Sequence, residues 1–176
     1  RKFDFVIPLF SDYDLAEVIK NLHSISHKLY FDYDICTKEI LQDSGNGKFV
    51  ESDTSEDTLK IVVKDRYRDY APAVAFIRGF GLKSGAFAGS VSHDSHNIIA
   101  IGVKDEDIVN AVNEIIRLKG GLSVACGNEI HSLQLSVAGI MSDRSCSEVA
   151  ENYEYLSEKV KKLGCKMSAP FMTLSF

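Results

Sequence analysis

The sequence predicts an α+β fold: a mixed, largely antiparallel sheet with helices packed on one face. Three observations carry this. From residue 86 onward the apolar periodicity runs strand, strand, helix, strand, strand, helix. The links between successive strands are short, which favours antiparallel neighbours. Both helical segments are amphipathic, so each has one face to lay on a sheet. At 176 residues the chain holds one domain with room for an attached layer. A globule of this size buries about 70% of the surface its unfolded chain exposes, so it folds without metal or disulfide staples.

Taken in order, Phe3–Phe10 (FDFVIPLF) reads as a strand that Pro8 ends or holds at an edge. Ser11 and Asp14 make a weak capping pattern before a helix with Leu15, Val18, Ile19, Leu22 and Leu29 at helical spacing. His23 and His27 share a face of that helix. With no third ligand and no HExxH glutamate, they read as half-exposed histidines near an interface rather than as a metal pair. Leu41–Thr58 is rich in Gly, Asn, Ser and Asp and reads as a loop. It marks the domain boundary: an acidic N-terminal subdomain or extension over 1–58, and a second unit over 59–176. Charge supports the division, since residues 1–60 hold 7 basic and 12 acidic side chains and residues 61–176 hold 13 of each.

Leu59–Val63 is a short strand, followed by Lys64, Arg66 and Arg68 alternating with Asp65, Tyr67 and Asp69 in a solvated or half-buried polar strand or turn. Ala71–Ile77 fits a strand or a helical turn equally, because of its Pro and Ala content. Gly79–Gly85 has three glycines in seven residues as GxGxxxG. It lacks the GxGxxG spacing and the GK[ST] ending of phosphate loops, and so reads as a tight turn with functional backbone groups.

Ala86–Val103 (AFAGSVSHDSHNIIAIGV) is the stretch the rest is arranged around. Val91, Ile98, Ile99, Ile101 and Val103 are strand material, and Ser92, His93, Asp94, Ser95, His96 and Asn97 form a polar knot between two apolar runs. A turn held by buried strands presents side chains rigidly. Next, Asp105-Glu106-Asp107 open a helix, where acidic groups favour the free N–H end. Ile108, Ala111, Val112, Ile115 and Leu118 form its stripe, and Gly120-Gly121 stop it. Leu122–Cys126 and Ile130–Leu135 are strands joined at Gly127-Asn128. Ala138–Asp143 is a loop. Ser145 and Glu148 form a capping box for a helix with Val149, Tyr153, Leu156, Val160 and Leu163 inside and Gly164 at its end. The closing PFMTLSF, Met172 included, reads as core or interface.

Composition excludes several classes. The net charge is −5 and no basic cluster exceeds the short group at 159–162, which argues against nucleic acid. There is no signal peptide and no run of 18 apolar residues, hence no membrane span. Cys36, Cys126, Cys146 and Cys165 are widely spaced, which suits reduced thiols in a cytoplasmic protein. The chain opens on Arg1 and stops on an apolar run, so both ends read as cut from something longer.

The dense polar site is His93-Asp94-Ser95-His96. Two imidazoles three apart can bind a metal or move protons, Asp94 can orient either ring, and Ser95 beside a base is a conceivable nucleophile. The alternative is a turn whose polar groups satisfy one another and the backbone. Spacing alone leaves these readings open. The zinc-deaminase signature of the cytidine type is absent: Glu129-Ile130-His131 runs the wrong way, no PCxxC follows, and Cys126 reads as a small buried hydrophobe.

Several long motifs then fall in a recognisable order: APAVAFIRGFGLKSGAFAGSVSHDSHNIIAIGV over Ala71–Val103, then DEDIVNAVNEI, GGLSV, SVAGIMSD and LGCKMSAPFMTLSF. Together they closely resemble the C-terminal domain of the bacterial and archaeal adenine deaminases, of the amidohydrolase superfamily, over roughly residues 59–176. The resemblance implies a parent that converts adenine and water to hypoxanthine and ammonia. It implies manganese or iron held in a separate upstream (β/α)8 barrel, with no metal in this chain, and a homo-oligomer. No HxH pair of the barrel type occurs here, and 176 residues are too few for such a barrel. On this resemblance the polar turn faces the mouth of the barrel's active site. His93, Asp94 and His96 are the catalytic candidates. Ser92, Ser95 and Asn97, with Gly79, Gly81 and Lys83 of the glycine loop, are the substrate contacts. Alone the chain is expected to be inactive. Two rivals are a non-catalytic assembly or regulatory domain, and a small independent metal-dependent hydrolase centred on His93 and His96.

Overall fold

A computed structural model of the chain describes residues 51–68, 70–93 and 95–176. The expected strand Phe3–Phe10, the helix carrying His23 and His27, Cys36, and Asp94 lie outside the described residues. The described part is built from three hairpins laid side by side. β1 (Thr58–Lys64) pairs with β2 (Ala73–Arg78), β3 (Ala86–Gly89) with β4 (Ile98–Gly102), and β5 (Gly121–Cys126) with β6 (Glu129–Gln134). β1 also pairs with β4, and β3 with β5, so the sheet runs β2-β1-β4-β3-β5-β6 and every pairing is antiparallel. Helix α1 (Asp105–Leu118) carries the chain from β4 across to β5; α2 (Cys146–Lys162) and the short α3 (Pro170–Leu174) follow β6.

The α+β class and the antiparallel sheet with helices against it are as the sequence predicts. The helices divide between two faces rather than sharing one. Side chains alternate across a strand, and here the alternation is by size. Ala86, Ala88, Ile98, Ala100, Ala125 and Val62 meet Ile108, Ala111, Val112 and Ile115 of α1. Leu59, Phe87, Ile101, Leu122, Val124 and Leu133 meet Leu156 and Val160 of α2 and Phe171 and Leu174 of α3. Small residues on the first side let α1 sit close: a Cβ on Gly102 would fall 2.5 Å from Ile108. Phe87 centres the second side, edge-on to Phe171 with ring centroids 5.3 Å apart and tilted against Phe80 at 6.1 Å.

Ser145 caps α2 through the full reciprocal box with Glu148. At the end of α1 the left-handed residue is Lys119, with φ 60. The two glycines after it serve a different need, close approach. A Cβ on Gly120 would fall 2.2 Å from the Cα of Gly139, and one on Gly121 2.2 Å from the Leu133 carbonyl oxygen. The loop after β6 is thereby pressed against the start of β5. Ala71–Ile77, open between strand and helix in the sequence, supplies the edge strand β2. The closing PFMTLSF contains α3, whose Phe171 and Leu174 are buried.

Candidate functional site

The polar turn joins β3 to β4 at one end of the sheet. Its base is fixed by Ser90, which is fully buried. The Ser90 hydroxyl donates to the Gly139 carbonyl and accepts from the Gly121 amide at 2.8 Å. The turn then folds on itself: Ser95 N–H donates to the His93 carbonyl at 2.9 Å and His96 N–H to the Ser92 carbonyl at 2.9 Å. His96 closes it in the left-handed region, φ 49, a conformation that costs a non-glycine residue free energy and is found at constrained sites. The two feet of the turn are held from outside. His93 N–H donates to the Ser175 carbonyl at 2.7 Å, and the Asn97 side-chain oxygen lies 3.4 Å from the Arg66 amide, which donates to it.

The bonds that fold the turn run between its own backbone amides and carbonyls. His93 is exposed, with its ring 5.3 Å from that of Phe176. His96 is half-buried, and its Nδ1 is shielded from solvent with no hydrogen bond. Ser95 is exposed, and its Oγ lies 3.5 Å from the Asn97 amide, a weak contact. Ser92 and Asn97 are half-buried. Of the site residues expected from sequence, the structure brings Ser92, His93, Ser95, His96 and Asn97 together.

It does not bring the glycine loop to them. Gly85 and Ser90 flank β3 at opposite ends, roughly 16 Å apart along an extended strand. The loop's polar groups are taken up locally. Gly79 and Gly81, both at positive φ (107 and 78), donate their amides to the two carboxylate oxygens of Asp57 at 3.1 and 2.7 Å. Lys83 donates through Nζ to the Thr54 carbonyl at 2.7 Å and through its amide to Leu163 at 2.8 Å. A concave set of amides binds an anion readily, and here the anion belongs to the protein.

Sequence reasoning missed three residues at the turn's end of the sheet. Ser90 was part of an apolar run, and Gly139 part of a loop. Arg66 read as a solvated or half-buried position, yet it is 2% exposed. A Cβ on Gly139 would fall 2.6 Å from the Arg66 Nη1, so the guanidinium lies against that glycine. A signal was present: GSVSHDSHN and SVAGIMSD are both glycine-containing loops with polar residues that follow a strand, the first the inner strand β3 and the second the edge strand β6. Among the described residues no group of three or more His, Cys, Asp or Glu side chains could hold a metal ion. No helix among the described residues is long and apolar enough to cross a membrane.

Fold and site together define a class: an antiparallel α+β domain that offers a polar turn at one sheet end and, among its described residues, no metal centre of its own. The family model for the adenine deaminase C-terminal domain matches residues 34–176, and the chain belongs to that family. It is 54% identical over 128 residues to an adenine deaminase of Parabacteroides distasonis, covering 73% of this chain and 24% of that protein. It is 49% identical over 131 residues to one from Methanosarcina barkeri, covering 74% and 24%. It is 48% identical over 156 residues to one from Sulfurovum sp., covering 88% and 27%. The chain thus spans about a quarter of the length of the relatives it matches.

Proposed function

We propose that this chain is the C-terminal portion of an adenine deaminase, in which the turn Ser92–Asn97 borders a purine pocket formed by an upstream metal-binding barrel. The match of residues 34–176 to the family model carries this reading. In it the reaction is adenine and water to hypoxanthine and ammonia, and manganese or iron resides in the barrel. The family domain takes in residues 34–176, with residues 1–33 preceding it. The protein is a cytoplasmic homo-oligomer; the free thiols of Cys126, Cys146 and Cys165 suit that compartment.

An uncharged purine suits a mostly apolar pocket with a few placed polar groups. His93 and His96 supply such groups from a rigid turn, as donor or acceptor at the ring nitrogens. Ser92, Ser95 and Asn97 add short polar contacts, and Asp94 stands with the histidines as a catalytic candidate. Gly79, Gly81 and Lys83 serve this reading as the scaffold of the sheet's far end, since their polar groups already have partners.

A chimera tests it: residues 1–176 in place of the corresponding part of the Parabacteroides distasonis relative, assayed with adenine and manganese for hypoxanthine. The chimera should turn over and the 176-residue chain alone should not. His93→Ala in the chimera should lower kcat/KM by about tenfold or more, the scale of a lost polar contact to a bound transition state. Turnover by the chain alone would favour the independent hydrolase. A chimera indifferent to both His93→Ala and His96→Ala would leave the turn as an assembly element.

A further inference from the structure

The C-terminal residues are tied to the polar turn at its His93 side, as Arg66 is at Asn97. The Ser175 carbonyl accepts from His93 N–H at 2.7 Å, the Ser175 hydroxyl lies 2.8 Å from both the Val91 and the Phe171 carbonyl oxygens and shares its one proton between them, and the Phe176 ring lies 5.3 Å from the His93 ring. Ser175 is itself held by α3, through its amide to the Phe171 carbonyl at 3.1 Å. Phe171 is 3% exposed and stands edge-on to Phe87 in the core. A continuous rigid path therefore runs from Phe87 through Phe171 and Ser175 to His93. Its outer end adds little to the core, because Phe176 is 86% exposed. Residues that complete no core yet pin a turn at two points act on the turn's geometry.

We propose that Ser175 is a positioning residue for His93, and that α3 with Ser175 and Phe176 forms a clasp setting where the histidine stands. The catalytic consequence rests on the reading that the turn borders the purine pocket; the clasp itself does not. Amide exchange followed by NMR should show His93 N–H exchanging about tenfold faster in a chain ending at Leu174, which lacks the accepting carbonyl, and also in Ser175→Ala, which keeps that carbonyl but frees it from the Val91 contact. Amides of β3 and β5 and the denaturation midpoint should hold. Ser175→Thr, which keeps the hydroxyl, should restore protection. Phe176→Ala should shift the His93 ring resonances through loss of the neighbouring ring. In the chimera, Ser175→Ala should lower kcat about tenfold with KM within twofold, and Ser175→Thr should recover it.

Unchanged His93 exchange in the chain ending at Leu174 would overturn the clasp whatever the assay shows, and unchanged exchange in Ser175→Ala would overturn the part assigned to the hydroxyl. Faster exchange with kcat unmoved, in a chimera where His93→Ala does lower kcat, would overturn the positioning role. A chimera indifferent to His93→Ala would instead remove the pocket reading, and the exchange data would still decide the clasp.

Discussion

Arg66 holds a guanidinium at a position only 2% exposed, against the backbone of Gly139 and within 3.3 Å of the Tyr67 hydroxyl. Its own amide secures Asn97 at the rear of the polar turn. Arg66→Ala should cost about 2–3 kcal/mol by urea denaturation, from lost stem packing and disrupted polar contacts. Gly139 faces it at φ 71. Gly139→Ala adds both left-handed strain and a clash, and should cost more than about 2 kcal/mol. Alternating signs in KDRYRD marked Arg66 as polar but could not show its burial, because the loop that covers it, at Gly139, arrives 73 residues later. The turn itself was legible, since six polar residues between two apolar runs have few other solutions. What the turn touches was not.

Titration belongs to the same scale. Arg117, hydrogen-bonded to both carboxylate oxygens of Glu114 at 2.8 Å, holds that carboxyl below its ordinary value of 4.5, and Ser132 adds to this. Ser145 does the same for Glu148, and the Ser55 hydroxyl and amide for Asp53. Each group stays ionised in the folded chain where the unfolded chain takes up a proton. Their contribution is therefore complete above about pH 4.5 and is lost as pH falls through the lowered values. Burial pushes the Cys165 thiol above 9.0. There the unfolded chain ionises first, so stability declines as pH rises past about 9. Thermal melts across pH should show both limbs, and Glu114→Gln should flatten the acid one.

Among the elements, α2 is the most fully specified by local sequence, with its capping box, amphipathic stripe and basic last turn. Ser145→Ala should cost about 1 kcal/mol, the usual worth of such a cap. β3 is specified by its packing instead. It is four residues long and buried throughout, and its only large side chain, Phe87, meets rings from two directions. Phe87→Ala should cost about 3–5 kcal/mol, with calorimetry or denaturant as the measure. Most described elements were legible because they show clean periods of 2 or 3.6 residues. β2 was not, since alanine and proline blur the distinction, and α3 is too short to show a period.

Over the whole molecule, the hairpin order and the two-sided covering of the sheet were the parts hidden from sequence. An amphipathic stripe shows that a helix covers something and is silent on which face. The face of α1 is set by its path from β4 over β3 to β5 and by the alanines it finds there. The same arrangement explains why the expected site divides. Loops that precede β3 and loops that follow it must emerge at opposite ends, however close they stand in the chain.

Asp57, seated in the amides of Gly79 and Gly81, has one more consequence. A tethered carboxylate competes with free ligands at an effective concentration on the order of millimolar or above. Inorganic phosphate or a nucleotide tail entering that cradle must first evict a resident that never diffuses away. The glycine-rich segment thus works as a buckle closed from within, deaf to anions in solution.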